Sequence, residues 1–346
     1  MADIEPVLRI ENLSIPLPIN ADRKYAVENL NFEIMPDEIL CVVGESGSGK
    51  SVTSFSMMGL LPKVLTPSEG RIIFGGKDLL SLPEGEKRAL RGAQMAMIFQ
   101  EPMSALNPCY TVGHQIEEVF KQHSNMSSEE RKSRTLDLLK EVKLPNPEGI
   151  QTSYPHQLSG GQRQRIVIAM ALAMEPNLLI ADEPTTALDV TTQAQILKLI
   201  KELKTRHNAG IMFITHDFGV VAEIADRIIV MQDGKIVEEG TADDILYHPK
   251  HPYTQSLIMA VPRKPDVTVP RDPNKPIVLT AENIRKTFTT PATLLKKERV
   301  VHAVKDINFT VREGETLGIV GESGSGKTTL VRCLIRLIDP DSGSIY

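Results

Sequence analysis

Two glycine-rich stretches of the sequence have the residues and spacing needed to hold a pyrophosphate group. GESGSGKS occupies residues 44–51 and GESGSGKT occupies residues 321–328. Both fit the pattern G-x-x-x-x-G-K-[S/T], in which backbone N–H groups surround phosphates at the start of a helix. For a single copy, an ordinary glycine-rich turn is the competing interpretation. Two copies make a chance match negligible, so the sequence predicts phosphate binding.

Each residue of the first stretch has an expected task. Lys50 is predicted to reach the β and γ phosphates of a nucleotide, and the Ser51 hydroxyl to bind Mg²⁺. The other predicted nucleotide contacts in this stretch are Gly44, Glu45, Ser46, Gly47, Ser48, Gly49 and Val52. The equivalent contacts predicted in the second stretch are Gly321, Gly326, Lys327 and Thr328.

Two adjacent carboxylates follow an apolar run. LLIA at residues 178–181 precedes Asp182 and Glu183. The first carboxylate can hold Mg²⁺ through its water shell, and the second can orient and deprotonate an attacking water. An isolated Asp-Glu pair is more often part of a solvated loop or a helix cap. Because a phosphate loop precedes this pair in the chain, we predict Asp182 as a metal ligand and Glu183 as a catalytic base.

The secondary-structure elements that must position these residues indicate an α/β fold. Short β-rich runs alternate with longer segments of helical spacing, which indicates a mostly parallel sheet covered by helices. Ligands of such sheets bind beyond the carboxyl ends of the strands. Gly44, Gln100, Asp182 and His216 each follow one of these runs, so we expect them to converge on one site. The runs are ILCVV (39–43), MAMIF (95–99), LLIA (178–181) and IMFIT (211–215).

A third motif completes a recognisable set. LSGGQRQR at residues 158–165 places Ser159, Gly160 and Gly161 at the start of a predicted helix, whose N–H groups suit an anionic phosphate. Together with Gln100, the stretch TTALD ending at Asp189, and His216, this order of motifs resembles the ATP-binding subunit of ABC transporters. The resemblance implies a P-loop NTPase (RecA-like) nucleotide-binding domain with an antiparallel β subdomain and a helical subdomain at about residues 103–158.

The same resemblance implies further roles. Gln100 is expected to contact Mg²⁺ and to sense a transmembrane partner, and His216 to contact the γ-phosphate. Asp189 is expected in a loop that crosses to a second ABC domain, and Tyr25 is the candidate for stacking on adenine, although its spacing departs from the usual pattern. The signature residues expected to contact the nucleotide held by the opposing domain are Ser159, Gly160, Gly161 and Gln162.

The chain reads as one complete domain followed by part of a second. AVENLNFEI from Ala26 matches AVKDINFTV from Ala303, and each glycine-rich loop follows its segment at the same distance. We therefore expect a complete ATP-binding domain at 1–262, a proline-rich linker at 263–275 and the amino-terminal fragment of a second domain at 276–346. This fragment has no counterparts of Gln100, Glu183 and His216. Because it also lacks the core strands that would hold its strand TLGIV in a sheet, we expect residues 276–346 to be weakly ordered or docked adventitiously.

Several longer stretches narrow the resemblance. FQEPMSALNP, ADEPTTALDVTTQAQIL and HPYTQSL (251–257) resemble the ATPases of bacterial dipeptide, oligopeptide, glutathione and nickel importers, and the fusion of two halves resembles the glutathione-importer type. This resemblance implies ATP and Mg²⁺ as cofactors, two integral-membrane permease subunits, an extracytoplasmic solute-binding protein and a second ABC domain as partners. It also implies a peripheral location at the cytoplasmic face of the bacterial inner membrane.

Composition restricts the alternatives. The net charge of −5 gives no basic excess that would suggest a nucleic-acid partner, although a local patch stays open. Cys41, Cys109 and Cys333 are odd in number and far apart, which fits a reducing compartment. The competing function is a soluble tandem ABC ATPase acting on ribosomes or DNA. Such proteins usually carry a long helical insertion or a charged helical linker, whereas the linker here is short and proline-rich, which favours the importer.

Overall fold

The computed structural model describes residues 5–100, 105–186, 188–261, 274–290, 299–322 and 324–346. The chain divides into two compact units, one of residues 1–187 with 192–262 and one of residues 188–191 with 263–346. Most of the linker predicted at 263–275 lies outside the described residues.

The first unit contains two sheets. Four strands form an antiparallel sheet in the order β2-β1-β4-β5, and six form a second sheet in the order β10-β9-β3-β8-β7-β6. All neighbours in the second sheet are parallel except β9 and β10. The strands are β1 (Leu8–Pro16), β2 (Tyr25–Ile34), β3 (Ile39–Val43), β4 (Glu69–Phe74), β5 (Lys77–Asp78), β6 (Met95–Ile98), β7 (Leu178–Asp182), β8 (Gly210–Ile214), β9 (Arg227–Gln232) and β10 (Lys235–Thr241).

The central strands are buried on both faces, as their uninterrupted apolar sequences require. Every residue of β3, β6, β7 and β8 is buried. Leu40 and Ile180 of this sheet share one hydrophobic cluster with Leu8 and Ile10 of the antiparallel sheet and with Met57 of the first helix. The predicted α/β fold with an antiparallel β subdomain is confirmed, and each of the four apolar runs contains the predicted strand.

The helices of the first unit pack against these sheets or follow one another in the segment between β6 and β7. Among the helices of the described residues, none is both long enough and apolar enough to cross a bilayer. They are α1 (Lys50–Met58), α2 (Glu84–Leu90), α3 (Val112–His123), α4 (Ser128–Glu141), α5 (Pro147–Gln151), α6 (Gly160–Leu172), α7 (Val190–His207), α8 (Phe218–Ile224), α9 (Ala242–Tyr247) and α10 (Pro252–Met259), with a 3-10 helix at Pro155–Gln157.

The segment expected to be helical, about residues 103–158, contains α3, α4 and α5. Local sequence explains where these helices begin: Thr111 caps α3, and Ser127 with Glu130 forms a reciprocal capping box on α4. Phe120 of α3 is fully buried. Residues 103 and 104 lie outside the described part of the chain.

The second unit is a small three-stranded sheet with one helix. β11 (Ile277–Thr290) pairs antiparallel with β12 (Arg299–Arg312) and with β13 (Ser342–Ile345), and α11 (Lys327–Leu334) follows the second glycine-rich loop. Its core consists of Ala281, Ile284, Val304, Leu330 and Cys333.

The expectation that 276–346 would be weakly ordered is therefore wrong for these three strands and this helix. They repeat the β2-β1-β4 arrangement of the first unit, and they bury enough apolar surface among themselves to form a cluster. The stretch TLGIV, residues 316–320, does not form a strand, as expected for a sequence without parallel neighbours to accept its backbone hydrogen bonds.

Candidate active site

The first glycine-rich loop joins β3 to α1 and is shaped by close backbone packing. Gly44 has φ 150°, and a Cβ atom there would lie 2.2 Å from the carbonyl oxygen of Met231. Gly49 has φ 106°, and a Cβ atom there would lie 2.8 Å from Val27 Cγ1. Side chains are excluded at both positions. The loop thus delivers Lys50 to the first turn of α1.

Lys50 is buried, and its ammonium group lies inside the loop. Its Nζ donates hydrogen bonds to the carbonyl oxygens of Gly44 (2.7 Å) and Glu45 (2.8 Å). Burial lowers the pKa of Lys50, and the negative charges of Glu183 and Asp182 oppose that shift. The cation is therefore held by neutral carbonyls, which a phosphate can replace as partners.

Two of the three predicted metal ligands, Ser51 and Asp182, lie in contact. Asp182 is buried at the end of β7, and its carboxylate accepts a hydrogen bond from the Ser51 hydroxyl. Burial raises the pKa of Asp182, while the Ser51 hydrogen bond opposes that shift. A hydroxyl and a carboxylate side by side are oxygen ligands of the kind that Mg²⁺ prefers.

Glu183 is held by three side chains. Its Oε1 lies 2.9 Å from His216 Nδ1, and its Oε2 accepts hydrogen bonds from Gln100 Nε2 and Thr186 Oγ1, both at 3.0 Å. The residue has φ 47°, a conformation uncommon outside glycine, and its N–H donates to the Ile214 carbonyl at 2.9 Å. This backbone bond ties Glu183 to the end of β8.

The pKa of Glu183 reflects this setting. Burial raises the pKa, but the hydrogen bonds from His216, Thr186 and Gln100 outweigh it, so the pKa lies below its ordinary value. Glu183 is therefore ionised at neutral pH. A carboxylate fixed in position and ionised can accept a proton from a bound water.

Residues that follow four of the parallel strands, β3, β6, β7 and β8, meet at one cavity of about 690 Å³. Gln100, Glu183 and His216, which follow β6, β7 and β8, lie in its wall opposite the loop. Glu45 and Ser48 of the loop are not in that wall; Ser48 is buried beside Lys50. The wall consists of Leu17, Arg23, Ala26, Gly44, Ser46, Gly47, Gly49, Lys50, Ser51, Val52, Gln100, Glu183 and His216.

Sequence reasoning missed Arg23, which lines this cavity. Its guanidinium donates to the carbonyl oxygens of Gly47 and Ala26 and pairs with Asp233 at 3.4 Å. A lone arginine in the polar stretch before β2 carries no motif that would have identified it. Tyr25, the candidate for stacking on adenine, is half-buried at the start of β2 and does not line the cavity.

The signature residues lie elsewhere in the first unit. Ser159 caps α6 by accepting from the Gln162 N–H (3.3 Å), and the Gln162 side chain accepts from the Ser159 N–H (2.9 Å). A Cβ atom on Gly161 would lie 2.7 Å from Thr192 Cγ2. The cavity of the first loop is lined by none of these residues. Gly160 and Asp189, which directly precedes α7, do not line it either.

Gln164, also missed, links the signature helix to the segment after β7. It is buried in α6, and its Nε2 donates to the Pro184 carbonyl at 2.6 Å. Pro184 directly follows Glu183. The sequence signal was its place inside the LSGGQRQR motif, but spacing alone does not show what a buried glutamine contacts.

The second loop repeats two lysine hydrogen bonds of the first. Lys327 Nζ donates to the carbonyl oxygens of Gly321 (2.6 Å) and Glu322 (2.7 Å), and Gly326 precedes α11 with φ 92°. Gly321 and Thr328 are exposed. The predicted nucleotide contacts of this loop therefore have the loop conformation but open surroundings.

Comparison with known proteins agrees with these features. The ABC transporter family matches residues 27–186 and 304–346, and the family described as oligopeptide/dipeptide transporter, C-terminal region, matches residues 237–287. The peptidoglycan transport ATP-binding protein YejF of Agrobacterium fabrum is 49% identical over 337 residues, covering 96% of this chain and 61% of that protein. The glutathione import ATP-binding protein GsiA of Escherichia coli (strain K12) is 45% identical over 374 residues, covering 99% of this chain and 60% of that protein.

Solved structures agree as well. A dimeric post-hydrolysis state of the ATP-binding cassette MJ0796, bound to ADP and Pi, is 31% identical with a TM-score of 0.61, covering 68% of this chain and 98% of that one. Another is cbiO1 from Clostridium perfringens, 28% identical with a TM-score of 0.60, covering 70% of this chain and 92% of that one. The chain spans about 60% of the length of the two curated relatives above. The family resemblance drawn from the motifs is confirmed: the chain belongs to the ABC transporter family of ATP-binding proteins.

Proposed function

We propose that this chain hydrolyses ATP at the first loop and so energises a bacterial importer of peptides or related small solutes, of the dipeptide, oligopeptide, glutathione or nickel class. The observation that supports hydrolysis most directly is the setting of Glu183, an ionised carboxylate held by three side chains in the wall of the loop cavity. The names of the relatives support the importer class.

The proposed chemistry follows from the side chains. Lys50 leaves the carbonyls of Gly44 and Glu45 to bind the β and γ phosphates. Glu183 orients a water beside the γ-phosphate and accepts its proton. Without nucleotide, His216 and Gln100 hold the Glu183 carboxylate in place. With nucleotide bound, His216 would contact the γ-phosphate and Gln100 would contact Mg²⁺.

Mg²⁺ fits the residues that are present. The Ser51 hydroxyl and the Asp182 carboxylate are adjacent oxygen donors, and Gln100 lines the same cavity. In the described part of the chain, no three His, Cys, Asp or Glu residues form a metal cluster, as suits an ion held mainly by phosphates and water. When bound, Mg²⁺ neutralises charge that develops on the transferred phosphoryl group.

A second ABC domain is the proposed partner in hydrolysis. Ser159, Gly160, Gly161 and Gln162 do not line the loop cavity of their own unit, so a nucleotide held there needs the signature helix of another copy. The free N–H groups at the start of α6 suit the γ-phosphate. The dimeric state named for the MJ0796 structure supports this arrangement.

Two permease subunits are the proposed membrane partners. A groove of about 600 Å³ beside Gln100 has a mainly apolar lining, including Leu60, Met97, Phe99 and Val119. Leu60 and Phe99 are each 41% exposed. An amphipathic permease helix would cover these side chains. The proposed location is therefore the cytoplasmic face of the inner membrane, and an extracytoplasmic solute-binding protein is proposed to act through the permease.

Fractionation tests the importer against the ribosome or DNA alternative. The importer predicts that the chain sediments with membranes that contain its permease, and that nuclease treatment leaves this unchanged. Leu60→Asp should reduce membrane association without reducing ATP affinity, because the groove and the nucleotide cavity have different walls. Tyr247→Asp, at another exposed apolar side chain, is the matched control. Sedimentation with ribosomes or nucleic acid instead would overturn the importer proposal.

A further inference from the structure

The HPYT motif at residues 251–254 takes no part in the chemistry above, yet each of its residues has a structural contact. His251 caps α10 by accepting a hydrogen bond from the Tyr253 N–H at 3.2 Å, and Pro252 occupies the first turn. The Glu238 carboxylate accepts from the N–H groups of Lys250 (2.7 Å) and His251 (3.1 Å). Thr254 is fully buried. The start of α10 is therefore fixed to strand β10.

Fixing α10 in this way brings Tyr253 to the phosphate loop. The Tyr253 hydroxyl accepts a hydrogen bond from the Glu45 N–H at 3.1 Å, although the two residues are far apart in sequence. The same peptide group contributes the Gly44 carbonyl, which accepts from Lys50 Nζ at 2.7 Å. One peptide plane of the loop is thus held from both sides, by the lysine at its oxygen and by the tyrosine at its nitrogen.

The surroundings make this contact specific. α10 and the loop border a cavity of about 440 Å³, whose wall includes His216, Phe218 and Leu257. Tyr253 is half-buried, and burial raises the pKa of its hydroxyl, which stays neutral and able to accept a hydrogen bond from an amide. On the other side, Gly44 lies close to Met231: a Cβ atom at position 44 would lie 2.2 Å from the Met231 carbonyl oxygen, so only glycine fits there.

We infer that Tyr253 is a positioning residue for ATP binding: its hydroxyl fixes the Gly44–Glu45 peptide and thereby the starting position of Lys50. This inference rests on the proposed role of the first loop. Without the hydroxyl, the Glu45 N–H loses its partner, and the Gly44–Glu45 peptide group can take other orientations in the nucleotide-free loop. Nucleotide binding then includes the cost of reordering the peptide, whereas hydrolysis of bound nucleotide does not.

The experiment compares Tyr253→Phe with Tyr247→Phe in the full chain. Tyr247 is an exposed tyrosine of α9, so its variant controls for loss of a phenolic hydroxyl. Affinity is measured with the fluorescent analogue trinitrophenyl-ATP and Mg²⁺. In Tyr253→Phe the Kd should rise roughly two- to tenfold, the range expected for one hydrogen bond. The KM for ATP should rise with it, while kcat at saturation and the unfolding temperature without nucleotide should match the parent.

Each other result overturns the inference. An unchanged Kd shows that the hydroxyl does not act on the loop. A lower kcat with unchanged KM assigns Tyr253 to the chemical step, and a lower unfolding temperature without nucleotide assigns it to general stability. Lys50→Ala distinguishes this failure from failure of the proposed site: if Lys50→Ala binds the analogue like the parent, the first loop is not the nucleotide site at all.

Discussion

The two glycine-rich loops have nearly the same sequence but lie in different surroundings. Both contain GESGSGK, and in both the lysine donates to the same two carbonyls at nearly the same distances: 2.7 and 2.8 Å in the first loop, 2.6 and 2.7 Å in the second. Both helices begin at the lysine. The loop conformation is therefore encoded locally, by three glycines with positive φ and by the lysine itself.

What precedes the loops differs. Leu40 and Val43 of β3 are 0% exposed, whereas the equivalent Leu317 and Val320 are 43% and 92% exposed. The first loop ends β3, which lies between two parallel neighbours, β8 and β9. The end of β7, the strand on the other side of β8, supplies Asp182 and Glu183. In the second unit the stretch before the loop is not a strand. A phosphate loop needs the surrounding sheet to bring other functional side chains beside it, and the local sequence of the loop does not encode that sheet.

The largest expected effect is loss of turnover in Glu183→Gln. The amide keeps the shape of the carboxylate but cannot accept a proton, so ATP hydrolysis should fall by roughly 10²–10⁴-fold while Mg-ATP still binds. Steady-state hydrolysis and a nucleotide titration measure the two quantities. If the second loop supported catalysis, substantial turnover would survive in this variant, and the contrast between the loops would fail. A parent-like rate would remove Glu183 from its role.

The sequence motifs predict most residues of this candidate site. The loop, the carboxylate pair, Gln100 and His216 were predictable because each follows an apolar run whose strand ends at one edge of a parallel sheet. The four central strands and the helical segment were predictable for the same reason: apolar runs bounded by polar residues report burial directly.

Other features depend on contacts between distant residues. Arg23 reaches the loop through the turn before β2, and Tyr253 reaches it because Glu238 fixes the start of α10. Neither contact leaves a periodic or spaced signal. The order of the described strands and helix of the second unit depends on the apolar cluster around Ile284 and Val304, which joins residues that are distant in sequence.

Burial before the loop should separate the two copies in stability. Leu40→Ala removes a fully buried side chain and should lower the free energy of unfolding by about 2–5 kcal/mol. Leu317→Ala, the same change at the equivalent but half-exposed position, should stay within about 0.5 kcal/mol. Urea unfolding followed by circular dichroism measures both. Equal losses would mean that TLGIV is packed like β3, contrary to the exposure of Leu317 and Val320.

Nucleotide affinity should separate the lysines. Lys50→Ala should weaken ATP binding at the first site by roughly 10- to 100-fold, the range for a hydrogen bond to a charged group. Lys327→Ala should change the measured affinity far less, since the described residues of the second unit provide neither a parallel sheet behind the loop nor a neighbouring strand end to complete the site. Titration of each variant with trinitrophenyl-ATP gives the comparison. A loss in Lys327→Ala as large as in Lys50→Ala would show that the second loop binds nucleotide equally well.

The smallest effect concerns concentration. We propose above that the first site needs a signature helix from another domain, and the described residues of the second unit, 274–290, 299–322 and 324–346, contain no such helix. Activity per chain should therefore rise with protein concentration as first units pair, at most in proportion to concentration while most chains are unpaired. Lys327→Ala should follow the same curve as the parent, because pairing uses Ser159 and its neighbours from another first unit. The measurement is specific ATPase activity across a dilution series for both proteins.

A large loss in Lys327→Ala, with nucleotide still bound at the first site, would show that the second loop takes part in catalysis. The open surroundings of that loop would then have to close in the active assembly.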